Sequence, residues 1–99
     1  FEVFNVSTGK PTRVADLARE LSRVYGKKIE PKISRQFRWG DVRHLVLDPQ
    51  KINRLGFKAD VSLKEGLSRF KTWMQSQGEV KDHFTAAYEQ LKKSRLIYD

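Results

Sequence analysis

The residues best able to do chemistry in this sequence concentrate in one short stretch. Arg38-Trp39-Gly40-Asp41-Val42-Arg43 closes a basic and aromatic loop, Ser34 to Asp41, and runs on toward an apolar segment. A guanidinium offers a planar fork of donors to oxyanions, and an ionised carboxylate offers only acceptors. Gly40, having no Cβ, lets the backbone turn sharply between Arg38 and Asp41. Arg38 and Asp41 can face a ligand, or they can form an exposed loop ion pair worth roughly 0 to 1 kcal/mol and serving no ligand. Trp39 can stack on a base or sugar, but a loop tryptophan more often covers local apolar surface. Arg43 can reach an anion, yet its place beside a strand-like run favours a structural pairing with a carboxylate.

Other chemistries are poorly represented. The 99 residues include no cysteine, which excludes disulfides, thiolate metal sites and a cysteine nucleophile in this chain. His44 and His83 are the only histidines, and no Asp/Glu/His group has metal-ligand spacing. Twenty Lys and Arg against twelve Asp and Glu give a net charge of +8, so an anionic partner has to be considered. The positive charges are dispersed from Lys10 onward with no block of five or six, which argues against a polybasic arm. Phe37 and Trp39 interleaved with Arg35 and Arg38 raise an alternative, a non-enzymatic nucleic-acid-binding or protein-interaction module. Nucleic acid is disfavoured, because no helix-turn-helix, ribonucleoprotein or zinc signature accompanies the charge. Apolar runs such as Leu45-Val46-Leu47 are far shorter than the roughly 20 residues a spanning helix needs, so no membrane partner is expected. The expected setting is cytoplasmic.

The elements that would carry this loop can be read from periodicity. Phe1 to Val6 reads as a strand ending in a turn-forming Ser-Thr-Gly-Lys-Pro-Thr cluster. Thr12 is the expected cap of a helix whose Val14, Leu17, Ala18, Leu21, Val24 and Tyr25 recur at i, i+3, i+4 and i+7, with Gly26 as its stop. Lys28 to Ile33 reads as an edge strand interrupted by Pro31, and His44 to Leu47 as a short buried strand. Asp48-Pro49 opens a short helix ending at Gly56. Ser62-Leu63-Lys64-Glu65 is a capping box for a helix bearing Leu63, Leu67, Phe70, Trp73 and Met74, and Val80, Phe84, Ala87 and Leu91 outline one more after Gly78. Leu17, Leu21, Phe70 and Trp73 are expected core residues.

Four patterns then fall in one order: Phe4-Asn5-Val6-Ser7-Thr8-Gly9 at a strand-to-loop junction, Arg38 to Arg43, Asp48-Pro49-Gln50-Lys51 through Leu55-Gly56-Phe57, and Val61 through Leu67. From Phe1 to Gln77 the succession resembles the C-terminal end of the extended short-chain dehydrogenase/reductases that epimerise or dehydrate nucleotide sugars. Ser7, Trp39 and Asp60 stand where that family usually has glycine, a smaller or polar residue, and proline. The resemblance implies a small mixed α/β substrate-side subdomain, short strands with about four helices, belonging to a Rossmann-type enzyme. It divides the chain into a nucleotide-sugar-binding part, 1–77, and an additional C-terminal helix, 78–99. By the resemblance Arg38 contacts the diphosphate and Asp41 a ribose hydroxyl of the substrate, chemistry that suits a forked donor and a carboxylate acceptor. It also implies NAD in the full-length parent, for which a homodimeric state is compatible. No Gly-rich dinucleotide fingerprint is read, and Tyr25, Tyr88 and Tyr98 are read as lying outside any Tyr-x-x-x-Lys arrangement, the pair that the family uses for proton transfer. This chain is therefore expected to bind no cofactor and to carry no catalytic residue. Its opening at Phe1 within an apparent strand, without an initiator Met, suits a piece of a longer chain.

Overall fold

The apolar residues of the first helix recur every three or four positions, and that spacing produces α1 (Val14–Val24). The computed structural model describes residues 1–98, so the sequence-read segment 78–99 extends one residue beyond them. The further elements are β1 (Phe37–Arg38), α2 (Gln50–Asn53), α3 (Leu63–Ser76), α4 (Phe84–Lys93) and β2 (Ile97–Tyr98), a small mixed α/β arrangement of four helices and one two-stranded sheet.

Helix ends follow local chemistry closely. α1 stops where Gly26 takes φ 65°. Gly26 N–H donates to the Arg23 carbonyl and Lys27 N–H to the Ser22 carbonyl, each at 2.9 Å, which is the paired closure of a Schellman motif. Ser22 Oγ pins the exiting chain, donating to the Lys27 carbonyl at 2.6 Å and accepting from Ile29 N–H at 3.0 Å. At the other end Arg13, not Thr12, is the N-cap, and no side chain caps it. The expected threonine cap is corrected by one residue, because Arg13 already holds the extended φ,ψ that precedes the first turn. Asp48 Oδ1 accepts from Gln50 N–H at 2.9 Å, but the N-cap of α2 is Pro49, one residue after the expected Asp48, and the helix stops at Asn53, short of the expected end at Gly56. Ser62 Oγ accepts from Glu65 N–H at 3.2 Å at the start of α3, while the Glu65 carboxylate turns forward to Arg69. Only one arm of that capping box is made. α4 begins at Phe84, where Asp82 Oδ1 accepts the backbone N–H at 2.8 Å, so Val80 lies outside the helix.

The strands differ from the sequence reading. Residues 1–6, 28–33 and 44–47 belong to no ladder. A strand is stabilised by the backbone partner beside it, and these three runs have β-prone composition without a neighbouring strand. Isolated side-chain bonds hold all three: Ser7 Oγ donates to the Leu47 carbonyl at 2.7 Å, Lys51 Nζ donates to the Val3 carbonyl at 3.1 Å, and Ile29 N–H donates to Ser22 Oγ. The sheet that does form pairs β1 with β2 antiparallel, Phe37 opposite Tyr98 and Arg38 opposite Ile97.

The core is corrected too. α1 packs on α3, and Lys71 Nζ reaches across to the Val24 carbonyl at 3.0 Å, above the Tyr25 ring. None of the described residues is fully buried. Leu21 is half-buried, but Leu17, Phe70 and Trp73 stay 36%, 44% and 54% exposed. Two helices in contact cover only the facing edge of each stripe, and among the described residues no third layer closes over the rest. The accessible surface is 9448 Å², against about 5,800 Å² for a compact monomer of this mass. The radius of gyration, 17.1 Å, likewise exceeds the roughly 13 Å of a compact chain of this length.

Candidate functional site

Arg38 to Asp41 forms one tight turn. Asp41 N–H donates to the Arg38 carbonyl at 3.1 Å, and Gly40 at the third position takes φ 84°. An L-side chain rarely adopts that conformation, so glycine is what permits the turn. The turn brings Arg38 Nε to 3.1 Å from Asp41 Oδ2. Both side chains remain open to solvent, 60% and 47% exposed. The two sequence-selected residues are thus brought together, and their direct contact is the exposed ion pair that the sequence allowed as the alternative to ligand binding. Beside them lies an open concavity of about 520 Å³ lined by Arg35, Phe37, Asp41 and Arg43. Arg43 pairs with no carboxylate among the described residues, contrary to its expected structural role. It lines the concavity together with Arg35 and Asp41, and neither of the two arginines has a carboxylate partner among the described residues. Trp39, 74% exposed, lies beside Tyr98 with ring centroids 6.1 Å apart.

Sequence reasoning missed the residues that brace this turn. Trp39 N–H donates to the Leu96 carbonyl at 3.0 Å, the Phe37 and Tyr98 rings stack at 5.6 Å, and Tyr88 Oη donates to Gln36 Oε1 at 2.6 Å. The braces come from sequence positions some 50 to 60 residues later, and only the β-prone Ile97-Tyr98 pair signalled them. Both approaches to the little sheet pass through a left-handed non-glycine residue, Arg35 at φ 63° and Arg95 at φ 54°. Arg95 occupies the glycine seat of a Schellman closure of α4, its N–H donating to the Lys92 carbonyl while Leu96 N–H donates to the Leu91 carbonyl.

Tyr88 and Lys92 require a second correction, because they do stand in Tyr-x-x-x-Lys spacing, one helical turn apart on α4. The arrangement around them is not that of a proton-transfer pair. Lys92 Nζ lies over the face of the Tyr88 ring, 4.5 Å from its centroid, and pairs with Glu89 at 3.4 Å, while the hydroxyl is spent on Gln36. The glycines also fail to form a dinucleotide cradle. Gly26, Gly56 and Gly78 follow helix ends at positive φ, Gly40 makes the arginine turn, and α1 starts at Val14 with no glycine beside its first turn. Among the described residues no group of three His, Cys, Asp or Glu could hold a metal ion. None of their helices is long and apolar enough to cross a membrane.

Known proteins are similar to this chain in sequence. The chain is 34% identical over 76 residues to dTDP-L-rhamnose 4-epimerase of Burkholderia thailandensis, a match covering 76% of this chain and 21% of that protein. It is 33% identical over 81 residues to the trifunctional UDP-glucose 4,6-dehydratase/UDP-4-keto-6-deoxy-D-glucose 3,5-epimerase/UDP-4-keto-L-rhamnose-reductase RHM2 of Arabidopsis thaliana, covering 78% of this chain and 12% of that protein. The chain therefore spans about a fifth or less of the length of these two relatives. No family model matches it, and no solved structure does.

Proposed function

We propose that this chain, which belongs with the nucleotide-sugar epimerases and dehydratases, is the C-terminal, substrate-side segment of such an enzyme. Residues 1–77 grip the nucleotide sugar, residues 78–99 form an addition to that part, and the chain alone is not catalytic. The observation that carries the reading is the Arg38–Asp41 turn, a solvent-open guanidinium and carboxylate fixed 3.1 Å apart, with Asp41 also lining a concavity beside Arg35 and Arg43. A diphosphate presents oxyanions to Arg38, and a ribose hydroxyl donates to Asp41. The large open surface supports the same reading, since helix faces left bare here are suited to pack against a further body of the enzyme.

NAD is the redox cofactor this family reading calls for, and nothing in this chain fits it. Gly26, Gly56 and Gly78 follow helix ends, Gly40 makes the arginine turn, Gly66 lies within α3 and Gly9 stands four residues before the Arg13 cap of α1, so among the described residues no glycine forms a strand-to-helix cradle for a pyrophosphate. The residues of this chain hold the substrate's nucleotide end and orient it, and the hydride and proton steps belong to residues elsewhere. A cytoplasmic setting and a homodimeric parent accompany the reading.

The test is a titration of the full-length enzyme with UDP and with dTDP. Arg38→Ala should weaken binding by about 1.5 to 3 kcal/mol, the worth of a hydrogen bond to a charged group. Unchanged affinity would make the turn structural and end this assignment. The nucleic-acid alternative makes the opposite demand, salt-dependent binding of mixed-sequence oligonucleotides in the submicromolar range.

A further inference from the structure

The segment after Gly78 has no counterpart in the resemblance, yet it folds back onto the one turn that carries the candidate ligands. We propose that α4 and β2 form a positioning strap for the arginine turn, with Tyr98 and Tyr88 as its positioning residues. The inference rests on the reading of Arg38 as a diphosphate ligand.

The aromatic contacts of the strap lie on one side of the turn. In an extended segment successive side chains point to opposite faces, so Phe37 and Trp39 share one face and Arg38 takes the other. The Tyr98 ring meets both Phe37 and Trp39, with centroids at 5.6 and 6.1 Å. Arg38 lies opposite Ile97 on the other face, and its Nε turns to Asp41 and not to any polar group of the strap. The strap therefore clamps the backbone through the aromatic face while leaving the guanidinium free. Tyr88 adds a second anchor one residue before β1, through its 2.6 Å bond to Gln36. The Trp39 N–H to Leu96 carbonyl bond, 3.0 Å, fixes the peptide inside the turn itself.

Positioning matters here because the turn has little else to hold it. Phe37, Arg38, Trp39 and Val42 are all exposed, and no residue of the turn is packed in a core. A loop that must be ordered at the moment of binding forfeits affinity, and one ordered beforehand keeps it. The strap supplies that order from within the same chain. Lys92 over the Tyr88 ring and the Schellman closure at Arg95 set the direction in which the chain leaves α4 for β2.

The experiment uses the full-length protein in five forms: unmodified, Arg38→Ala, ended after Arg95, Tyr98→Ala, and Tyr98→Phe. Each is titrated with UDP and with dTDP, and hydrogen exchange is followed in peptides covering residues 35–43 and in peptides from α1 and α3. Ending the chain after Arg95 and Tyr98→Ala should weaken nucleoside diphosphate binding about five- to twentyfold, the cost of ordering one or two side chains at the moment of binding. Both should speed exchange in residues 35–43 and leave α1 and α3 unchanged, and Tyr98→Phe, which keeps the ring, should restore affinity and protection. The strap is overturned if the shortened chain binds as tightly as the unmodified protein while Arg38→Ala loses affinity. If Arg38→Ala binds normally, the ligand assignment fails and the strap's purpose falls with it. The Arg38→Ala arm thus separates the two failures.

Discussion

Arg38 Nε and Asp41 Oδ2 lie 3.1 Å apart across a turn that Gly40 makes possible, and the contact occupies one edge of the guanidinium. The two terminal nitrogens of Arg38 bond to none of the described residues. Those nitrogens form a complete fork for two phosphate oxygens, so the ion pair orients the guanidinium without consuming it. Ion pairing and ligand binding, which stand as alternatives in the sequence, are compatible in this geometry. Asp41→Asn should weaken nucleoside diphosphate binding by about 0.5 to 1.5 kcal/mol, less than Arg38→Ala, because the amide keeps an acceptor. Arg38→Lys should recover only part of the loss, since it keeps charge and loses the fork. Calorimetric titration of the three variants orders them, and Asp41→Asn costing more than Arg38→Ala would contradict the geometry.

Gly40→Ala tests the turn without removing a ligand. A Cβ built there meets nothing within 4 Å, so the only penalty is the backbone at φ 84°. Holding alanine in that region costs roughly 1 to 2 kcal/mol. Affinity for UDP should fall by about three- to thirtyfold as the turn opens, with the melting temperature of the full-length protein nearly unchanged. A large loss of thermal stability with unaltered affinity would show that the turn serves the fold instead.

Arg35 and Arg43 should contribute charge to the concavity they share with Phe37 and Asp41. Substituting both by Gln removes two positive charges from the approach to the turn, and should lower the association rate for a nucleoside diphosphate more at low salt than at high salt. Stopped-flow binding at two ionic strengths measures this. Equal rates at low salt would place both arginines outside the ligand's field.

The helices were legible in the sequence because their signals are local. Ser62 and Asp48 receive the backbone N–H groups expected of them, and Gly26 lies where α1 must stop. The arginine turn was legible for the same reason, since Gly40 is required by the bend between Arg38 and Asp41. The strands were not, because β structure depends on a partner that composition does not name. Phe1 to Val6 is β-prone and unpaired, while Phe37-Arg38 gains a ladder only from Ile97-Tyr98. The core was misjudged for a related reason: an amphipathic stripe says which side seeks cover but not whether this chain supplies the cover.

That distinction can be measured at Trp73 and Leu21. In the 99-residue chain alone, Trp73→Ala should cost less than it does in the full-length protein, because the residue is 54% exposed. In the full-length protein the same change should cost about 2 to 5 kcal/mol if a further domain covers α3. Leu21→Ala, at the half-buried contact of α1 with α3, should be felt in both. Denaturant titration of each variant in both contexts gives the comparison, and equal small costs for Trp73→Ala would show that α3 stays bare.

Tyr88 and Lys92 have the spacing of a proton-transfer pair, so their exclusion has to rest on geometry. Such a lysine would need its ammonium near the phenol oxygen, where positive charge stabilises the phenolate. Here Nζ sits 4.5 Å from the ring centroid and pairs with Glu89, and the hydroxyl donates to Gln36. The lysine therefore acts on the ring face as a cation over an aromatic, worth about 0.5 to 1 kcal/mol at an exposed site. Lys92→Met keeps the stem and removes the charge. In the full-length enzyme it should leave kcat within about twofold of the unmodified protein, whereas loss of a group serving acid–base catalysis costs roughly a hundredfold or more. Steady-state kinetics with the enzyme's own nucleotide sugar decide between these outcomes. A hundredfold fall in kcat at unchanged KM would move Lys92 from the strap into the catalytic machinery.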